Sequence, residues 1–316
     1  MRIGLALAQI GHFADAEQLR AMAVGAEQRG YASLWALDRL LAPVSPRSAY
    51  PGNPEGLLPA GMAVSLDPLM ALAAAASVTS TIRVGTNILV APWYQPVLLA
   101  RSLASLDVLS GGRLEIGLGL GWSRDEYDAV GVPQRELGER LDDLIHTLDA
   151  LWQPGAELVH HEGRDFHVVP SSFRPGPVQR PRPPITLAAY TPASLSRVGR
   201  LADGWTPAGL DLATTAAMWE QVKVAAVEHG RDPDVLRLVV RANAHHTLVP
   251  LADGRPTFHG SVDQIAEDVR GAMEIGAADL ILDLQSCTSG VEEYLDVADR
   301  IRAAAAVTTA DAGRAA

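Results

Sequence analysis

The chain has 316 residues, 48% hydrophobic and 20% charged, with a formal net charge of −11 and a pI near 5.2. This is the balance of a globule with a sizeable core, and its acidity argues against a nucleic-acid surface. No apolar run reaches the ~18 residues of a membrane span. Cys287 is the only cysteine and Lys223 the only lysine, which excludes intramolecular disulfides and cysteine-rich metal sites and disfavours Schiff-base catalysis.

In chain order, "RIGLALA" (2–8) reads as a first strand rather than a leader peptide, which implies a cytoplasmic protein. A helix follows from about Asp15 to Arg29. "SLWAL" (33–37) is a second strand, followed by a Pro/Gly-rich loop and the helix 68–80. "IRVGTNILVA" (82–91) precedes a helix at 96–110, and "RLEIGLGL" (113–120) precedes a helix near 134–152. "PITLAAY" (184–190), "GWTPA" (204–208), "RLVVRANAHHTL" (237–248) and "DLILDLQ" (279–285) each precede a further helical run, at 192–202, 214–229, 261–276 and 290–306.

Eight strand–helix units imply a parallel sheet, because each crossover lays a helix on the sheet face. At this length they fit a closed (β/α)8 TIM barrel spanning 1–306 better than an open doubly wound sheet. Two insertions break the rhythm: 38–66 after strand two, and 153–183 after helix four, the latter expected as a hairpin or a lid. The tail 307–316 reads as frayed.

A barrel carries its chemistry at the C-terminal strand ends. The candidates there are Gln9 to Phe13, Asp38 and Arg39, Asn87 to Tyr94, Gly117 to Trp122, Ala188 to Thr191, Trp205 to Gly209, Asn243 to His246, and Asp283 to Ser286. In "GRLEIGLGLGW" (112–122) the glycines Gly117, Gly119 and Gly121 alternate along a strand, although glycine weakens strands. Three readings follow: a poor match to a dinucleotide fingerprint, tight packing inside the barrel, or close approach of a flat ligand beside Trp122. Trp93, Tyr94, Trp122 and Tyr127 either wall a pocket or cap the barrel. His245 and His246 are adjacent on a strand and face opposite ways. "HHEGRDFH" (160–167) is better explained as a polar hairpin than as a metal site.

The stretch "VGTNILVAPWYQPVLLARSLASLDVLSGGRLEIGLGLGWSRDEYDAVGV" resembles the core signature of the bacterial-luciferase-like family. "AEQRGYASLWALDRL", "PRPPITLAAYTPASLSRVGRLADGW" and "GSVDQIAEDVRGAMEIGAADLILDL" extend the likeness in the family's order. The resemblance implies a (β/α)8 oxidoreductase using flavin or coenzyme F420. It places Gly117, Gly119, Gly121 and Trp122 against the cofactor ring, and Asn87 and Ile88 at a bulge with a non-proline cis peptide behind it. Ala188, Ala189, Tyr190 and Thr191 match a phosphate loop ahead of a helix N-terminus, although many relatives have Gly-Gly where this chain has Ala189-Tyr190. Asp38-Arg39 matches a pair that is frequently Asp-His. Arginine is not a proton donor near neutral pH, so Arg39 is assigned to holding an anion or to a structural pair with Asp38. His12 is then the expected proton donor.

The expected function is hydride transfer between F420 and a small organic substrate. The alternatives are a reduced-FMN monooxygenase on the same fold and a non-catalytic partner subunit. A homodimer is expected, with no metal, membrane or nucleic-acid partner.

Overall fold

A computed structural model describes residues 1–53 and 55–306; the tail 307–316 lies outside the described residues. Eight parallel strands close on themselves. They are β1 (Arg2–Ala6), β2 (Ser33–Ala36), β3 (Arg83–Thr86), β4 (Leu114–Gly119), β5 (Ile185–Leu187), β6 (Gly204–Trp205), β7 (Arg237–Asn243) and β8 (Asp279–Asp283). Each pairs with its neighbour in sequence, and β8 returns to β1 with Arg2 opposite Asp279. The helices are α1 (Ala16–Gln28), α2 (Pro68–Ser77), α3 (Pro96–Ser110), α4 (Leu137–Leu151), α5 (Pro192–Leu201), α6 (Leu212–Glu228), α7 (Val262–Glu274) and α8 (Val291–Ala304). The eight units match the sequence reading. The differences are local: the expected strand 82–91 is interrupted, a short helix Arg124–Ala129 precedes α4, and His245–His246 leaves the barrel to pair with His259–Gly260.

Alternation in and out of a closed sheet sorts the interior into layers. The floor is ionic. Arg2 bonds Asp279 at 2.7 Å, Arg83 bonds Glu115 at 2.5 Å, and Arg237 reaches both acids at 2.9 and 2.5 Å. Above it, Trp35 fills the barrel at 1% exposure, packed with Val239 and Ile281. Its indole N–H donates to Ser33 Oγ at 2.8 Å. Gly4 and Gly85 make room for it: a Cβ on either would lie 2.9 or 2.6 Å from the indole. The outward residues, such as Leu5, Leu34, Leu118 and Leu282, form the main core with the helices.

The 153–183 insertion forms an antiparallel hairpin, Val159–Glu162 with His167–Ser171. It leans on α4, where buried Asp143 accepts from His161 Nε2 (2.6 Å), Asp165 N (2.6 Å) and Phe166 N (3.0 Å). Because it connects a helix to the following strand, it rises along the barrel's flank. Of the two forms expected, hairpin and lid, the structure shows the hairpin, packed on α4. His161 goes to Asp143 and His167 to Glu162, so the histidines of this segment serve separate contacts.

Trp35→Ala empties the middle of the barrel. Truncating a buried tryptophan typically costs ~3–5 kcal/mol, and urea unfolding is expected to show a loss of that size. A loss below ~1 kcal/mol would mean that the floor and mouth hold the barrel without it.

Candidate active site

The mouth is organised by a mismatch between β3 and β4. Val84 and Gly85 pair with Leu114 and Glu115, and the ladder resumes with Leu89 and Val90 opposite Leu118 and Gly119. Between these pairings β3 spends three residues (Thr86, Asn87, Ile88) and β4 two, which defines a β-bulge. The Asn87–Ile88 peptide is cis. A Cβ on Gly117 would lie 2.2 Å from Thr86 O, one on Gly119 2.7 Å from Ile88 Cδ1, and one on Gly121 2.6 Å from Val90 Cγ1. The immediate neighbour of the three glycines within the chain is therefore the bulged segment and Val90 just beyond it. Gly121 also needs its φ of +64°.

Asp38, just past β2, clamps the bulge. Its N–H donates to Ile88 O at 3.2 Å, and its Oδ2 accepts from Val90 N at 3.0 Å and Tyr94 Oη at 2.9 Å. On the other side Asn87 Nδ2 donates to Thr206 Oγ1 at 2.6 Å. Arg241, 7% exposed on β7, completes a polar ceiling. Its Nη2 bonds Asp283, its Nε donates to Asn243 Oδ1 at 2.9 Å, and its Nη1 reaches Asn87 O and Oδ1 at 3.4 Å. Gln285 donates to Asp283 Oδ1 and accepts from the N–H groups of Gln9 and Ile10. Arg241 was not a sequence candidate. Its signal is an arginine in an apolar strand, two positions from Val239 and Asn243 and so on their inward face.

Arg39 does not pair with Asp38. Its side chain is 6% exposed and its Nη2 lies 3.3 Å from Glu126 Oε2. Its guanidinium sits 4.9 Å from the Trp122 ring centroid. Glu126 belongs to the short helix Arg124–Ala129 and is 1% exposed. The 38–66 segment is fastened at both ends. Leu40 N and Leu41 N donate to Glu126 Oε1, and Arg47 bonds Asp125 at 2.6 Å. At the other end Gly11 N donates to Val64 O and Leu66 N to Gln9 O. Between these anchors Tyr50 meets Trp122 edge-on at 5.5 Å. Neither Glu126 nor Tyr50 was singled out from sequence.

His12 is exposed on the loop after β1, its ring 4.2 Å from Phe13. Among the described residues no side-chain hydrogen bond joins it to Asp38 or Arg39. Ala188 and Ala189 follow β5, and Ala189 O accepts from Trp205 Nε1 at 3.0 Å. Tyr190 Oη bridges to the backbone of Ala208. The Tyr190 and Thr191 N–H groups both donate to Ser194 Oγ, at 3.0 and 2.9 Å, within the capping box of α5. An anion there would have to replace the serine hydroxyl. Tyr127 is buried with its hydroxyl on Leu120 O and its ring edge-on to Trp93 at 6.0 Å. Tyr127 and Trp93 are thus packed together, while Trp122 and Tyr50 are only partly buried.

A closed eight-stranded barrel whose polar side chains gather at the C-terminal strand ends has the architecture of the (β/α)8 enzymes. The chain belongs to the luciferase-like monooxygenase family, whose sequence profile matches residues 2–247. An uncharacterised protein of Mycobacterium tuberculosis is 33% identical over 221 residues, spanning 68% of this chain and 77% of that protein. The crystal structure of monooxygenase RslO1 from Streptomyces bottropensis superposes with a TM-score of 0.75 at 21% identity, covering 96% of this chain and 97% of that one. An F420-dependent secondary alcohol dehydrogenase, in complex with an F420–acetone adduct, superposes with a TM-score of 0.73 at 15% identity, covering 95% and 99%. These two structures establish the fold. No helix among the described residues is long and apolar enough to cross a membrane.

Asp38 gives the site a pH signature. Burial raises its carboxyl to about 6, against the pull of the Val90 N–H and the Tyr94 hydroxyl. Unfolded, the value is near ~4. Between these values the folded chain binds more protons than the unfolded one, so this group's contribution to stability falls as pH rises through the window. Asp38→Asn removes the titration. Its stability relative to the native chain is expected to rise by roughly 2–3 kcal/mol from about pH 4 to about pH 7.5. Urea unfolding at both values checks this, and a constant difference would rule it out.

Proposed function

We propose that this chain is an oxidoreductase that binds coenzyme F420 at the barrel mouth and passes a hydride between it and a small organic substrate. The observation that carries the reading is the braced bulge: Ile88 is set over Gly119, and Asn87 is held between Thr206 and Arg241. The residues fit a flat tricyclic ring. The bulge offers an apolar side chain, and Asn87, Thr206, Arg241 and Asn243 offer donors and acceptors to a polar ring edge. At the phosphate end the fit requires exchange of the Ser194 cap. When bound, the deazaflavin supplies hydride chemistry at its C5 toward a C=C, C=N or C=O bond, or accepts a hydride in the reverse direction.

The protein's own contribution is positioning and exclusion of water. Asp38 holds the bulge, Arg241, paired with Asp283, ties β7 to Asn87, and Tyr50 and Trp122 wall one side. His12, exposed at the same end, is the group assigned to exchange a proton with substrate. The similarity to an F420-dependent alcohol dehydrogenase supports this reading. The similarity to RslO1 supports a second one, a reduced-FMN monooxygenase.

Fluorescence titration separates them. F420 is expected to bind at least tenfold more tightly than FMN. Preference for FMN would move the assignment to the monooxygenase, and binding of neither would leave a non-catalytic barrel subunit.

We further propose a homodimer. The outer faces of α2 and α3 expose Met70, Leu98 and Leu109. Light scattering is expected to report about twice the chain mass of 33.5 kDa. A monomer at micromolar concentration would exclude the dimer without touching the fold.

A further inference from the structure

Arg39 is buried without being fully used. Its Nη2 donates to Leu41 O at 3.1 Å and lies 3.3 Å from Glu126 Oε2. The latter is longer than the ~2.7–2.9 Å of a strong charge-assisted bond. Glu126 is divided: its Oε1 already accepts from Leu40 N and Leu41 N at 2.9 and 3.2 Å. Arg39 Nε is buried with no hydrogen-bond partner. The neighbouring Asp38 turns its Oδ2 to Val90 N and Tyr94 Oη, and no hydrogen bond joins it to Arg39 among the described residues. The guanidinium faces the Trp122 ring, whose edge contact with Tyr50 continues the aromatic wall.

A buried cation with an unpaired donor carries a standing desolvation cost. Burial indeed lowers the Arg39 pKa, against the opposing pull of Glu126. An incoming oxyanion relieves that cost, whereas a neutral group relieves it only in part. A pair completed by ligand is the arrangement by which a site rejects analogues that lack the matching group.

We infer that Arg39, with Trp122 and Tyr50, forms a carboxylate subsite, and that the substrates of this enzyme are small organic acids held by their carboxylate beside the cofactor. The inference rests on the oxidoreductase reading above, because it places the acid next to the ring site. It predicts selectivity for charge at equal shape.

The test uses calorimetry on the full chain loaded with F420. Its probes are acetate, hexanoate and benzoate, each against the matching amide. At least one acid is expected to bind tenfold or more tightly than its amide. Arg39→Gln is expected to abolish that preference while leaving the F420 dissociation constant within twofold. Arg39→Lys, which keeps a cation but loses the planar fork, is expected to reduce the preference at least threefold. If it is the only soluble variant, that reduction serves as the test. Acids and amides binding equally, or neither binding, would overturn the subsite. A tenfold loss of F420 affinity in Arg39→Gln would also overturn it, by assigning the arginine to the cofactor. Failure of the unmodified chain to bind F420 would instead strike the F420 reading, and the same acid–amide comparison on the unloaded chain would then decide the subsite by itself.

Discussion

Strand β3 carries one residue more than the strand beside it, and the mouth is built around that surplus. The extra residue must go somewhere without opening the barrel, and it goes inward. Thr86 O and Ile88 then occupy the space that side chains on Gly117 and Gly119 would take. The displaced segment is met by specific hydrogen bonds: Asp38, just past β2, donates to Ile88 O, Thr206, just past β6, accepts from the Asn87 side-chain amide, and Arg241 of β7 reaches Asn87 O. Bulges re-aim side chains next to active sites. Here the bulge also explains why Gly117 and Gly119 of β4 are glycine, since the adjoining chain already fills the volume.

The interior then reads as three solutions to one problem. A barrel of eight strands leaves room for side chains and little else. At the floor the room is filled by arginines and acids whose charges compensate one another. In the middle a single tryptophan fills it, with glycines conceded on two neighbouring strands. At the mouth polar groups bond one another yet remain near the strand ends, with donors and acceptors to offer a ligand.

Much of this was visible in the chain itself. Strand–helix alternation needs only hydrophobic periodicity, so all eight units and their order could be read. The glycine run was also legible because it is local in sequence, and the Asn87–Ile88 position came from the family resemblance. The partners were not. Nothing near Arg39 indicates that Glu126, eighty-seven positions later, and not Asp38 beside it, receives its charge. Adjacent residues at a strand end point to different sides, so chain proximity was a poor guide. Tyr50 lies in a long loop whose path is set by its anchors. The glycines were legible as a crowded place, but the chain neighbours that crowd it were a matter of register between two strands.

The doubly anchored crossing from Glu126 to Gln9 has a topological consequence. Its two ends are held by separate sets of bonds, one on the short helix after β4 and the other on the loop after β1. Neither set requires the backbone between them to be continuous. A protease that severed the chain once within residues 51–58 would leave two fragments, each keeping its own anchor. Tyr50 would remain on the first fragment, still joined through Leu40, Leu41 and Arg47 to the helix that carries Glu126. The barrel would then persist as a nicked pair, and the aromatic wall would depend on only one of its two tethers.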